Sequence, residues 1–173
     1  MIKQIEETIK STAVLSDNNQ YRYKLSRVWN EEKPNAAVLM LNPSKADMLK
    51  TDKTVMNVNN YLVDKGYGSF TIVNLFAFRT TEPKFLNQRD EIYETLNDDY
   101  LAEAFYEADV IIVAWVRDKD KYVRRKKAVE KLLLNYKEKV KCFEDSNGKK
   151  LRHPRDLTVN WKLIDYEFMF IEN

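Results

Sequence analysis

Length, composition and charge indicate a folded globular domain. The chain has 173 residues, 44% of them hydrophobic and 32% charged, which excludes a disordered protein and predicts one domain over residues 1–173. Its 29 basic and 27 acidic residues leave a net charge of +2, too small to indicate a polyanionic partner by itself. Because the chain has one cysteine and one histidine, we expect no disulfide, no metal site and no cofactor.

The N-terminal segment, MIKQIEETIK, is charged and has no apolar stretch long enough for a signal peptide or a membrane span. We therefore expect a cytoplasmic protein with no membrane partner. Isoleucines at helical spacing over residues 2–9 predict a short helix that covers the core or mediates a dimer, and we expect core packing and a monomer. Alternating apolar residues over 21–28 then predict a strand at a sheet edge.

Four continuous apolar runs, at residues 36–41, 70–75, 110–114 and 140–143, predict strands that are buried on both faces. Helical patterns fill the intervals between them, at residues 54–65, 91–108 and 122–136. Gly66 is placed to end the first of these helices. This alternation predicts an α/β fold: a three-layer α/β/α sandwich with a mostly parallel sheet of four to five strands.

Polar side chains follow two of the predicted strands at the edge where such sheets bind ligands. Asn42, in the motif LNPS, comes after the first strand, and Asn74 ends the second. Two carboxamides at adjacent strand tips can pair with the edge of a nucleobase. The alternative is that each Asn is a turn residue or a helix cap that binds its own backbone.

The single histidine lies in a basic loop after the fourth predicted strand. His153 is flanked by cations that are candidates for phosphate contact: Lys149, Lys150, Arg152 and Arg155. Such a histidine acts as a general acid or base or supports a developing anion, but a histidine that satisfies a backbone group is commoner. A second basic cluster, at residues 124–127, is typical of a solvated helix face.

Four motifs in chain order, LNPS, VNLFAF, VAW and HPRDL, resemble those of the uracil-DNA glycosylase superfamily. The longer motifs NPSKAD with DKT, VNLFAFRTT, AW and HP are more closely similar to a family of small uncharacterised bacterial and phage proteins. The resemblance covers about residues 21–157. It implies a uracil-DNA glycosylase-like fold with a pocket for a nucleobase.

The resemblance also implies roles for individual residues. Asn42 matches the residue that orients the attacking water, and His153 matches the histidine that stabilises negative charge on the leaving base. Asn74 matches the amide that reads the base edge. Leu157 falls where some members carry a leucine that inserts into the base stack, and Ser44 lies on the same nucleic-acid-binding face as the basic loop.

Several positions depart from the glycosylase pattern. Met40 and Leu41 stand where glycine usually permits close approach to a sugar. Arg155 and Asp156 replace small and proline residues that would contact a DNA backbone. Phe76 and Phe78 are candidates for stacking on the base, but no feature of the sequence selects either of them. The departures favour a retained pocket with altered or lost chemistry.

Three hypotheses follow for the function. The first is a pseudoenzyme that binds a nucleobase in DNA or RNA, or a free nucleotide, without ordinary uracil excision. The second is an active DNA glycosylase that hydrolyses the N-glycosidic bond of uracil or another base, with Asn42 and His153 as catalytic residues. The third is a non-enzymatic module that binds a protein partner through the basic helix at 122–137. The first two require Asn42, Asn74 and His153 to converge on one cavity.

Overall fold

The computed structural model describes residues 1–116, 118 and 120–171. Within these residues the chain forms seven strands, four α-helices and three short 3₁₀ helices. The strands are β1 Lys10–Leu15, β2 Arg22–Val28, β3 Asn35–Met40, β4 Ser69–Asn74, β5 Val110–Val113, β6 Val140–Glu144 and β7 Lys162–Asp165. The helices are α1 Lys53–Asp64, α2 Glu91–Glu94, α3 Asn97–Glu107 and α4 Val123–Leu133, with 3₁₀ helices at Pro83–Gln88, Leu134–Lys139 and Pro154–Asp156.

All seven strands belong to one mixed sheet in the order β1-β2-β4-β3-β5-β6-β7. The three pairings among β4, β3, β5 and β6 are parallel, whereas β1–β2, β2–β4 and β6–β7 pair antiparallel. The prediction of a mostly parallel, four- to five-stranded, uracil-DNA glycosylase-like sandwich is therefore wrong. It missed β1 and β7 and placed β2 at an edge, although β2 lies between β1 and β4.

Helices cover both faces of the central strands. On one face α1 buries Val55, Val58, Tyr61 and Leu62 against the sheet. On the other face, α3 and α4 bury Leu101, Ala104, Phe105, Val129 and Leu133. Since the central strands are enclosed on both sides, their apolar runs are continuous, and the positions of β3 to β6 agree with the sequence prediction to within about two residues.

The predicted helix boundaries are only partly correct. Gly66 follows α1 with a φ of +84°, as expected of a helix-terminating glycine. The helix predicted over 91–108 is divided into α2 and α3. The helix predicted over 2–9 is wrong, because these residues have no regular secondary structure and are exposed. An isolated helix of that length is marginal without a surface to pack on.

The basic cluster on α4 is not the solvated face that its charges suggested. Lys126 is buried and donates to the carbonyl of Asp118. Arg125 forms an ion pair with Asp98 at 2.6 Å. Of the four cations, Arg124 is exposed, Arg125 and Lys127 are half-buried and Lys126 is buried, so the cluster is only partly solvated. A protein-docking role for this helix remains a prediction. Separately, no helix in the described parts of the chain is both long and apolar enough to cross a membrane.

Candidate functional site

A cavity of about 1290 Å³ opens at the carboxyl ends of the parallel strands. This volume exceeds the roughly 300–1,000 Å³ of ordinary small-molecule pockets, so the cavity is large enough for a nucleotide or part of a polymer. Its walls come from the segments that follow β3, β4, β5 and β6, together with the first turn of α1. The position agrees with the general rule for ligand sites in parallel α/β sheets.

Asn42 connects two of these walls. Its Nδ2 donates to the carbonyls of Pro43 at 3.1 Å and Thr80 at 2.7 Å. The Thr80 N–H donates back to the Pro43 carbonyl at 2.9 Å, so the two loops are fastened together. With both Nδ2 hydrogens used, Oδ1 is the remaining hydrogen-bonding atom of the amide and acts as an acceptor. Asn42 thus serves as a turn residue and also lines the cavity.

Ser44 and Asp52 connect the loop after β3 to α1. The Ser44 hydroxyl donates to Asp52 Oδ2 at 2.8 Å, and Asp52 Oδ1 accepts from the Val55 N–H at 2.9 Å as the N-cap. Thr54 and Val55 in the first turn also line the cavity, and this turn contains no acidic residue. The positive end of the helix dipole therefore contributes to the cavity wall. Sequence reasoning used DKT as a motif but did not place Asp52 in the site.

Arg22, on β2, was also missed. Its side chain lines the cavity although the residue is only 2% exposed. Nη1 donates to the Ala46 carbonyl, whereas Nε has no hydrogen-bond partner among the described residues. Burial, with repulsion from Arg79, lowers the pKa of Arg22 to about 10, against the opposing attraction of Asp52 and Asp47. The guanidinium is therefore still charged at neutral pH.

The basic loop after β6 forms the opposite wall. Lys149, Lys150, Arg152 and Arg155 all line the cavity. Three ion pairs surround it, Lys150–Glu167 at 2.7 Å, Arg152–Asp145 at 3.1 Å and Lys53–Asp156 at 3.1 Å. Among the residues on the cavity wall, six Lys or Arg face three Asp or Glu, so the cavity has an excess of three positive charges. An anionic ligand is favoured.

His153 caps the 3₁₀ turn Pro154–Asp156, and its Nδ1 accepts from the Arg155 N–H at 3.2 Å. In the neutral ring the proton then lies on Nε2, which makes that nitrogen a donor. Burial lowers the pKa of His153, and Arg155 lowers it further, while Asp52 and Asp156 oppose the shift. His153 thus satisfies a backbone group and also lines the cavity as a neutral donor.

We expect the substitution His153→Gln to reduce the loss of stability at acidic pH. Because the folded pKa lies below the ordinary 6.5, the unfolded chain binds a proton more readily as the pH falls through that value. The contribution of neutral His153 is therefore complete above about pH 6.5 and is lost below it. Urea unfolding from about pH 7.5 to about pH 5 measures this loss. Equal losses in the two proteins would contradict the expectation.

Two residues with strained backbone also lie at the cavity. Val116, which follows β5, and Leu151, in the basic loop, both have a φ of +56° and both line the cavity. A β-branched or bulky residue in this left-handed region is unusual and requires support from its surroundings. Such residues cluster at functional sites, so their presence on one cavity supports a role in ligand binding.

Four of the predicted site residues lie away from the cavity. Asn74 is 1% exposed, and neither atom of its amide has a partner among the described residues. The end of β4 is covered by α3, where Asn97 donates to the Asn74 carbonyl at 2.9 Å. The expected convergence of Asn42, Asn74 and His153 is therefore wrong for Asn74, while Asn42 and His153 line the same cavity.

The aromatic and leucine candidates are packed into the core. Phe76 meets Tyr122 edge-on at 5.2 Å, and Phe78 packs on Tyr21 at 5.3 Å. Leu157 belongs to the core beneath α1 and is not available to enter a base stack. No Phe, Tyr or Trp is among the described residues that line the cavity. Nor is any group of three or more His, Cys, Asp or Glu in the described part placed to hold a metal ion.

The fold and the cavity define an α/β protein with a cationic pocket at the ends of its parallel strands. A family model described as a protein of unknown function (DUF1643) matches residues 22–155, and the chain belongs to this family. No curated protein and no solved structure matches the chain. The predicted membership of an uncharacterised family is thus confirmed, whereas the resemblance to uracil-DNA glycosylases gains no support from these comparisons.

Proposed function

We propose that the cavity binds a nucleotide or a strand of nucleic acid, chiefly through phosphate groups and without ordinary uracil excision. The observation that carries this proposal is Arg22, a buried guanidinium on the wall of a cavity that has an excess of positive charge, whose Nε has no partner among the described residues. Buried charges in proteins are normally paired. An anionic ligand is the natural partner for this one.

Phosphate fits the arrangement better than a carboxylate does. The cations are spread over several walls of a cavity of about 1290 Å³, from Arg22 on β2 to Arg155 in the basic loop. A phosphate presents several acceptor oxygens, and arginine pairs with it through two parallel hydrogen bonds. The first turn of α1 lines the cavity, and its dipole favours an anion there, although the Asp52 carboxylate already caps this end of the helix.

Because Asn74 is buried away from the cavity, the base site of three residues expected from the sequence is not formed, and base recognition is the weaker part of the interaction. Asn42 Oδ1 offers an acceptor and His153 Nε2 a donor, which can pair with the edge of a heterocycle. The described lining residues include no Phe, Tyr or Trp on which a base would stack. Large aromatic rings commonly stack on the flipped base in enzymes that act on it, so their absence from the described lining supports binding over excision.

Binding of a single-stranded oligonucleotide tests the proposal. We expect the double variant Lys149→Ala/Arg155→Ala to bind more weakly and to show a smaller salt dependence. Each lost phosphate contact reduces the slope of log K against log salt by about 0.7. Fluorescence anisotropy over a range of NaCl concentrations measures both quantities.

The matched control is Arg124→Ala, which removes an exposed cation on α4 that does not line the cavity. This variant should bind like the wild type. If it weakens binding as much as the double variant does, the cavity is not the binding site.

The absence of excision is tested separately with uracil-containing single- and double-stranded DNA followed by alkali. Intact strands are expected. Robust cleavage that is lost in both Asn42→Ala and His153→Ala would instead establish the active glycosylase, because these two residues line the same cavity.

A further inference from the structure

Arg22 lacks a counterion as well as a full set of hydrogen bonds. No carboxylate among the described residues lies within ion-pair distance of its guanidinium. Asp52 and Asp47 favour the charged form only from further away. A buried charge without a partner lowers the stability of the fold. An unpaired Arg22 is therefore expected where an anionic ligand supplies the opposite charge.

The two nearby carboxylates already accept other hydrogen bonds. Asp47 accepts from the N–H groups of Leu49 at 3.0 Å and Lys50 at 2.8 Å. Asp52 accepts from Ser44 and Val55. These bonds hold both carboxylates where they are, so neither is free to approach Arg22.

The depth of Arg22 decides which kind of phosphate it can meet. Lys149 and Arg155 are exposed at the rim, where they can contact the phosphodiesters of a strand that passes across the opening. Arg22 is 2% exposed and its Nε is fully covered, so a phosphate that reaches the guanidinium must enter the cavity and displace the side chains that cover it. A phosphodiester is flanked by a nucleoside on each side, which hinders its entry into the cavity. A terminal phosphate can enter the cavity ahead of the rest of the ligand.

The surroundings of Arg22 also suit a dianion. Thr54, at the N-terminus of the twelve-residue helix α1, and His153 with its Nε2 donor line the same cavity. A phosphomonoester carries nearly two negative charges at pH 7, one more than a diester. The buried guanidinium and the Nε2 donor of His153 stabilise the additional charge.

We infer that Arg22 binds a terminal phosphate, and hence that the ligand is a phosphomonoester: a free nucleotide or the phosphorylated end of a nucleic acid strand. This inference rests on the proposed function and narrows it.

The test compares one single-stranded oligonucleotide in 5′-phosphate, 3′-phosphate and unphosphorylated forms, and AMP with adenosine, by isothermal titration calorimetry. We expect at least one phosphorylated end, and AMP, to bind about 10-fold more tightly than the unphosphorylated counterpart, as charge-assisted hydrogen bonds allow. Arg22→Met should abolish this preference, so that the phosphorylated and unphosphorylated forms bind this variant with equal affinity. Arg22→Lys, which keeps the charge but not the two-pronged geometry, should retain part of the preference.

Thermal melting checks that both variants fold, and Arg124→Ala serves as the control that keeps the full preference. Equal binding of all forms overturns the inference but leaves the proposed function intact, as does an equal loss of every form in Arg22→Met. If inorganic phosphate raises the melting temperature of the wild type but not of Arg22→Met, and no nucleotide or oligonucleotide binds, Arg22 is a phosphate site and the nucleotide function is overturned. No binding of any of these probes overturns both.

Discussion

Replacing Glu130 by alanine is expected to lower the free energy of unfolding by about 3–5 kcal/mol. Glu130 lies on α4 and is completely buried. Its carboxylate accepts from the Tyr166 hydroxyl at 2.6 Å and from the N–H groups of Met169, Phe170 and Ile171 at 3.0, 2.8 and 3.0 Å. Removing it leaves four donors without their acceptor at once, and the segment after β7 loses its attachment to the helix.

Urea denaturation of the wild type and of Glu130→Ala measures the difference. Glu138→Ala is the matched control, since Glu138 is exposed in the 3₁₀ helix that follows α4 and its loss should change stability by no more than about 0.5 kcal/mol. Glu130→Gln retains one acceptor oxygen and should fall between the two. A cost for Glu130→Ala no greater than that of the control would show that the C-terminal segment is held by other contacts.

The second large effect is expected for Gly68→Ala, which should lower the free energy of unfolding by about 3 kcal/mol. A Cβ at Gly68 would lie 1.9 Å from the Asn30 carbonyl oxygen and 2.7 Å from Lys33 Cβ. The Gly68 N–H donates to Pro34 at 2.9 Å, and its carbonyl accepts from Trp29 at 3.0 Å. Because the closest atom belongs to the backbone, the clash requires the whole turn to move.

Gly148→Ala separates this clash from the ordinary cost of replacing glycine. Gly148 has a φ of +75°, but a Cβ there would meet nothing within 4 Å. Only the left-handed backbone conformation opposes the substitution, at about 1–2 kcal/mol. Urea denaturation of the two variants gives the comparison. Similar losses in the free energy of unfolding for the two variants would mean that the loop before β3 moves at little energetic cost.

The central strands were predictable from sequence because both of their faces are buried. The run VIIV of β5, for example, has all four residues buried and is recognisable without any knowledge of its neighbours. The edge strands β1 and β7, with sequences KSTAVL and KLID, mix polar and apolar residues and are partly exposed. Their pairing depends on a template supplied by β2 and β6, which local sequence does not reveal.

The site was predictable where it follows the rule that ligands bind at strand ends. That rule placed Asn42 and His153 on one cavity, whereas their catalytic roles remain predictions. Arg22 was missed because it lies between two buried tyrosines, Tyr21 and Tyr23, and strict alternation assigns it to solvent. Asn74 was misplaced for a different reason: the helix that covers it begins at Asn97, too far along the chain for local sequence to show the contact.

The extent of the sheet means that the family-matched residues 22–155 are smaller than the physical unit that carries the cavity. A recombinant fragment cut to those limits would lack β1 and β7. The backbone N–H and C=O groups of β2 and β6 that pair with these strands would then be exposed to other molecules. Exposed strand edges of this kind promote self-association and aggregation. The same truncation would remove Glu167 from the cavity wall, leaving Lys150 without its salt bridge and making the trimmed pocket more cationic than the native one.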